Sequence, residues 1–388
     1  MKKIISIALA LLMVAVMLPV MAMADEATTL QGQINNATSG TTITLDKDYT
    51  EDITIPAGKA ITLDLATFTL TGSSSHTITN NGTLTVVGTT GKVVNNVGSK
   101  GALFNNVGAI ANLNGGTFEG NTWYVIKNLG TITMNGASVD QKDAGSSAID
   151  NGWYDSTSKS GHGNDCGIVY PGGYAKLTIA NGNFNGGMNT VKNDDYGVLE
   201  ISGGTFSNTN GPTVLNWNVA TISGGEFKVN STATSVIANG SFNNEADKGQ
   251  LTITGGDFTS ADGGRGALLG YGDGAPNGGN LSITGGNFNG DLPGVGAYPY
   301  HIAITGGKFE DREGAANYIP SNMEIDGNGN VVNKSITIIV PSDGGNTTTT
   351  PSTDNTKNPG TGANDFVGVA AAMAVVSLLG AAAVIRKK

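Results

Sequence analysis

Between Asn151 and Asp195 the chain gathers the residue types most able to do chemistry. The stretch NGWYDSTSKSGHGNDCGIVYPGGYAK holds Trp153, Tyr154, Asp155, His162, Asp165, Tyr170 and Tyr174. Asp194, Asp195 and Tyr196 follow shortly after it. Aromatic rings beside carboxylates suit a carbohydrate: ring faces cover apolar sugar faces while carboxylates accept hydroxyl hydrogens. Trp153, Tyr154, Asp155 and Tyr196 are the ligand-contact candidates, and the plainer alternative is that these rings only pack the loop down. Hydrolysis needs two carboxylates, roughly 5 Å apart for retention or roughly 6.5–9.5 Å for inversion. Asp165 with Asp194 or Asp195 would supply such a pair, with His162 beside it as a base or a hydrogen-bonded loop residue. Asp155, Asp165, Asp194 and Asp195 also offer oxygen ligands of the kind calcium takes, but no fixed spacing demands a metal and no cofactor is expected.

The segments that must position these residues are short and repetitive. One phrase recurs: LTITGGDF at Leu251–Phe258, LSITGGNF at Leu281–Phe288, LEISGGTF at Leu199–Phe206, ATISGGEF at Ala220–Phe227 and IAITGGKF at Ile302–Phe309. LTIANGNF at Leu177–Phe184 and LNGGTF at Leu113–Phe118 are variants. The apolar–polar alternation of LTIT is the period of two expected of a strand. Gly-Gly supplies a tight turn and Phe returns the chain to the interior. Seven of the eleven phenylalanines, at 118, 184, 206, 227, 258, 288 and 309, fall in this register. They predict one interior column.

A second periodic feature lies upstream of each LTI strand, a short apolar strand ending in Asn. It reads TITN at 77–80, LFNN at 103–106, VIKN at 125–128, AIDN at 148–151, TVKN at 190–193, TVLN at 213–216 and VIAN at 236–239. Counted from Asn106 the spacings are 22, 23, 42, 23 and 23, the long step holding one loop rather than a missing coil. Aligned asparagines predict a ladder of side-chain amides.

A repeat of about 22 residues carrying several strands predicts an all-β fold, a right-handed parallel β-helix of roughly 13 coils. TLQGQINNATS at Thr29–Ser39 predicts a short amphipathic cap over its open end. The opening TTITLDKDYTEDITIPAGKAITLDLATFTLTG resembles first coils of pectate-lyase-like β-helix proteins, a resemblance extending over about Leu30 to Val340. Such folds include lyases, hydrolases and noncatalytic adhesins, so the resemblance implies fold rather than activity. The Asp-Asp and Gly161-His162-Gly163 elements resemble pieces of the polygalacturonase signature. Their order is reversed here, and that family's Arg-x-Lys element is absent. Variable segments at Gly152–Lys176, Gly240–Gly249 and Tyr271–Asn280 all leave one corner of the coil, where solenoids usually evolve binding.

The two ends predict export and anchoring. Residues 1–24 read as a signal peptide, with Lys2 and Lys3, an apolar run and Ala22-Met23-Ala24 before Asp25. Residues 25–340 form the β-helix domain with its cap, and 341–357, PSDGGNTTTTPSTDNTK, an extended linker. Asn358-Pro359-Gly360-Thr361-Gly362 precedes residues 363–388, whose Phe366–Ile385 is long enough to span a bilayer and is followed by Arg386, Lys387 and Lys388. This order resembles the cell-wall sorting signals of Gram-positive surface proteins, with Asn where LPxTG has Leu. The resemblance implies cleavage after Thr361 by a sortase and attachment to peptidoglycan, with the membrane touched only through the C-terminal segment before sorting. The 31 Asp and Glu against 21 Lys and Arg argue against nucleic acid, and the lone Cys166 allows no internal disulfide. Three functional readings follow: a noncatalytic adhesin or glycan binder contacting host or microbial glycans or surface proteins, a wall-attached polysaccharide hydrolase or lyase, and a passive spacer.

Overall fold

The computed structural model describes residues 28–153, 173–232, 234–240, 249–261, 268–269, 280–291 and 301–335. All belong to one compact unit, Met1–Ser335. The signal peptide, linker, sorting motif and C-terminal apolar segment lie outside the described residues, as do Tyr154, Asp155, His162, Asp165, Cys166 and Tyr170. No helix among the described residues is long and apolar enough to cross a membrane.

The chain winds into a parallel β-solenoid of the right-handed type, about 23 residues per coil. Each coil has three legs. The LTI leg and the Phe-bearing leg join across the Gly-Gly corner and together build an 18-stranded sheet; the Asn-ended leg builds a nine-stranded sheet. Nine rungs in that sheet give about nine turns rather than 13. The difference arises because long insertions and both caps consume residues without adding rungs.

The two glycines of each corner are there for different reasons. A Cβ on Gly224 would come within 2.5 Å of the Ser202 carbonyl oxygen one coil earlier, so the backbones meet too closely for any side chain. Gly225 has φ +112°, a conformation that costs other residues strain. Behind the corner the Phe rings enter the core. Phe184, Phe206, Phe227, Phe258, Phe288 and Phe309 stack at centroid separations of 4.7, 4.6, 4.9, 4.8 and 4.7 Å, one coil per step. Phe118 occupies the same column but outside the stack, because Val139 is its rung neighbour and separates it from Phe184.

The asparagine ladder starts one residue earlier in its second rung than the sequence spacing suggested. Asn105, not Asn106, pairs with Asn80 and Asn128. Strand alternation decides it: Leu103 and Asn105 point inward, so Phe104 and Asn106 do not. The side-chain amides then run Asn80–Asn105–Asn128–Asn151–Asn193–Asn216–Asn239, each donating to the next at 2.7–2.8 Å. The 42-residue step is a single coil, with Asn151 paired directly to Asn193.

Both ends of the core are covered. The helix Leu30–Asn36 is capped by Thr29 and buries Leu30 and Ile34. Its first amides are taken by Glu51, and its last carbonyls by the Lys59 ammonium at 2.9 and 2.8 Å. At the other end the last solenoid strand among the described residues is His301–Phe309. A short helix, Arg312–Ala316, and an antiparallel hairpin, Met323–Ile325 with Val331–Asn333, follow. The Phe309 amide bonds to Gly329 of this hairpin, which occupies part of the last strand's open edge.

Candidate functional site

Of the three insertions expected to share one corner, two do so at their bases: Asn151 and Asn239 both stand in the ladder at the start of an insertion, while Tyr271–Asn280 begins outside the described residues. Immediately before each ladder asparagine is a residue on the opposite, outer face of the nine-stranded sheet. In successive coils these are Thr79, Phe104, Lys127, Asp150, Lys192, Leu215 and Ala238. Three charges of alternating sign therefore stack, although the face they share is buried. Lys127, Asp150 and Asp194 are fully buried and Lys192 nearly so.

Their geometry is that of one ion network. Lys127 lies 3.1 Å from Asp150 and 4.0 Å from Asp194, while Lys192 lies 2.9 Å from Asp194 and 3.8 Å from Asp150. Each ammonium also faces a ring, Lys127 at 5.1 Å from the Tyr124 centroid and Lys192 at 4.5 Å from that of Trp217. Mutual pairing and the ring faces offset a desolvation cost that isolated charges here would not survive. Sequence reasoning missed Lys127, Asp150 and Lys192. The signal was present as K-D-K before consecutive ladder asparagines in VIKN, AIDN and TVKN.

All three tryptophans of the chain lie along this face. Trp153 stacks on Tyr196 with centroids 5.4 Å apart and planes 11° from parallel, and Tyr174 sits 6.0 Å from Tyr196. The backbone sets this arrangement: the Tyr196 amide donates to the Trp153 carbonyl, and the Ala175 amide to the Tyr196 carbonyl. Exposure rises along the row, from 5% for Trp153 through half-buried Tyr196 to 61% for Tyr174. Trp153 therefore supports Tyr196 from below, and the accessible rings are Tyr196 and Tyr174. Toward the N-terminal end, His76 stacks on Phe104 at 4.8 Å and Trp123 lies 5.2 Å from His76. Burial, with Lys100 nearby, pushes the His76 pKa down to about 4, and its Nδ1 accepts the Gly101 amide. The imidazole is therefore neutral at pH 7.

Of the residues picked out for chemistry, the structure brings Trp153 and Tyr196 together and places Asp194 in the ion network. Asp195 is buried beside it in the same turn. Asp194 is consequently not a free carboxylate facing a cleft. Asp155, Asp165 and His162 lie outside the described residues, so neither the hydrolytic pair nor the calcium set is assembled among the described ones. Searches against protein-family models, curated proteins and solved structures return no match.

Proposed function

We propose that this chain is a noncatalytic surface protein, exported and covalently attached to a Gram-positive cell wall through Thr361, whose solenoid holds a glycan-binding aromatic edge away from the wall. The pectate-lyase-like resemblance supplies the scaffold in this reading, and the threonine-rich linker supplies the reach. The observation that carries the noncatalytic assignment is the burial of Asp194 between Lys127 and Lys192. A general acid or nucleophile must reach substrate, and this carboxylate is committed to two ammonium groups. The graded row Trp153–Tyr196–Tyr174 supports binding, since sugars stack on ring faces that are half open and firmly backed.

The test presents the full-length chain to a panel of linear and branched glycans, scoring binding and release of reducing ends on the same panel. Binding lost in Tyr174→Ala and Tyr196→Ala, without turnover, is the expected result. Turnover abolished by Asp194→Asn overturns the noncatalytic reading. For anchoring, Thr361→Ala is expected to move the protein from the muramidase-released wall fraction into membrane or medium. Unchanged wall linkage refutes the sorting assignment.

A further inference from the structure

The Gly-Gly corners do more than turn the chain. Stacked coil upon coil, they leave a shallow trough of about 400 Å³ on the opposite side of the LTI leg from the aromatic edge. It spans four successive coils, from Asn181 past Gly203–Thr205 and Gly224–Glu226 to Gly256–Asp257, or roughly 14 Å along the axis. Asn181 closes its first coil; in the next three the floor is bare backbone, because the first glycine of each corner has no room for a Cβ and the second has positive φ. Exposure repeats as exposed, half-buried, half-buried, exposed across these three corners, Ser202–Thr205, Ser223–Glu226 and Thr254–Asp257. One wall is therefore the hydroxyl row Ser202, Ser223, Thr254, and the other the row Thr205, Glu226, Asp257.

The fold requires the floor but not the second wall. Glu226 and Asp257 are register partners on adjacent coils, both exposed and both acidic. Like charges directly opposite each other in a sheet are destabilising. Asp257 receives one hydrogen bond from Asn287 at 2.6 Å; the Glu226 side chain has no hydrogen-bond or ion-pair partner among the described residues. A straight channel floored by bare backbone over three coils and flanked by hydroxyls fits an extended polymer rich in hydroxyl groups, lying parallel to the axis. The adjacent carboxylates repel uronate or sulfated chains and attract ammonium groups. We propose that this trough binds a linear glycan carrying free amino groups, an amino-sugar chain. The assignment is independent of the aromatic edge.

The experiment measures binding of a deacetylated chitosan oligosaccharide to the full-length chain. The fully N-acetylated oligomer of equal length and an oligogalacturonate serve as comparators. The deacetylated chain is expected to bind about tenfold more tightly than the acetylated one, and to weaken as salt rises. Oligogalacturonate should not bind. The double variant Glu226→Gln, Asp257→Asn should erase the preference while its thermal midpoint stays equal or rises, because a repulsion has been removed. Thr205→Trp, which puts bulk on the wall, should weaken binding of the amino-sugar chain. Equal affinity for acetylated and deacetylated chains, or a double variant that binds like the parent, overturns the proposal.

Discussion

Two adjacent asparagines provide a sharp test of the ladder. Asn105 donates through Nδ2 to Asn128 Oδ1 at 2.8 Å and to the Thr131 carbonyl at 3.2 Å, and accepts from Asn80 Nδ2 at 2.7 Å. All of this happens in the core, where water cannot replace a lost partner. Asn105→Ala removes those three bonds; at about 1 kcal/mol each, the cost is about 3 kcal/mol. Asn106→Ala removes one bond to Asn81 at 2.9 Å and one from the Val107 amide, both at the solvent edge. Water substitutes there, and the cost should stay below about 1 kcal/mol. With an unfolding entropy of about 2.1 cal/mol/K per residue, roughly 250 described residues give about 0.5 kcal/mol/K, so the expected midpoint shifts are roughly 6 °C and under roughly 2 °C.

Thermal scans of the two variants beside the parent decide the matter, and hydrogen exchange adds position. Loss of protection in Asn105→Ala should centre on the coils holding Asn80, Asn105 and Asn128, because solenoid stability is carried by nearest-neighbour contacts. Equal shifts for the two variants, or a larger one for Asn106→Ala, would show that the buried amide ladder does not run through Asn105.

Three further outcomes follow from the same architecture. Phe227→Ala, in the middle of the ring stack, should cost about 3–5 kcal/mol, while Phe227→Leu should recover most of it; chemical denaturation compares the two. Lys127→Met strands Asp150 and Asp194 beside a single lysine and should cost about 3–5 kcal/mol, whereas Lys127→Met with Asp150→Leu should be milder, because a matched apolar pair leaves fewer charges uncompensated. Acid should act in two stages. The His76 pKa is depressed to about 4 from 6.5, so its contribution is full above pH 6.5 and is lost as pH falls toward 4. Burial works against ionisation of Asp52, but hydrogen bonds from Ser73 and Ser74 outweigh it and hold its pKa below 3.8, so that contribution disappears only below this value. His76→Gln should flatten the first segment of a stability–pH curve and Asp52→Asn the second; parallel curves for parent and variants would refute the assignment.

Most of the scaffold was legible because a solenoid writes each structural requirement many times. LTI alternation, Gly-Gly corners and returning phenylalanines each recur often enough to expose a register. What misled was counting spacing without applying alternation. Beginning from Asn106 gives a first step of 22, whereas the strand Leu103–Asn105 faces inward only if Asn105 is the rung, and the step then becomes 23 like its neighbours. Val139 was overlooked for a related reason. The coil Thr131–Gln141 carries MNGASV where its neighbours carry GGxF, so the recurring phrase does not mark its rung, and the phenylalanine register alone does not show that Val139 stands between Phe118 and Phe184. The C-terminal hairpin had no periodic signature because it occurs once.

The candidate chemistry was harder to read for a deeper physical reason. In a parallel stack the neighbours that settle a side chain's charge state are one coil away, not one or two residues away. Asp150 meets Lys127 across 23 residues and Lys192 across 42. Read locally, Asp194-Asp195 is a carboxylate pair inviting catalysis; read at the coil period, Asp194 is the acid between two buried lysines. The same subtraction identifies what is left over. Lys127, Asp150, Lys192 and Asp194 neutralise one another, and the ladder asparagines satisfy one another, so none of them is available to a ligand. Glu226 and Asp257 are matched at the coil period with the wrong sign, and Tyr174, 61% exposed, extends the ring stack of Trp153 and Tyr196. In a rod whose rungs otherwise complete each other, binding energy for a partner can come only from positions that the repeat leaves incomplete. Among the described residues, that reasoning favours the trough and the aromatic edge, on different sides of the coil, as the places for the two ligands proposed above.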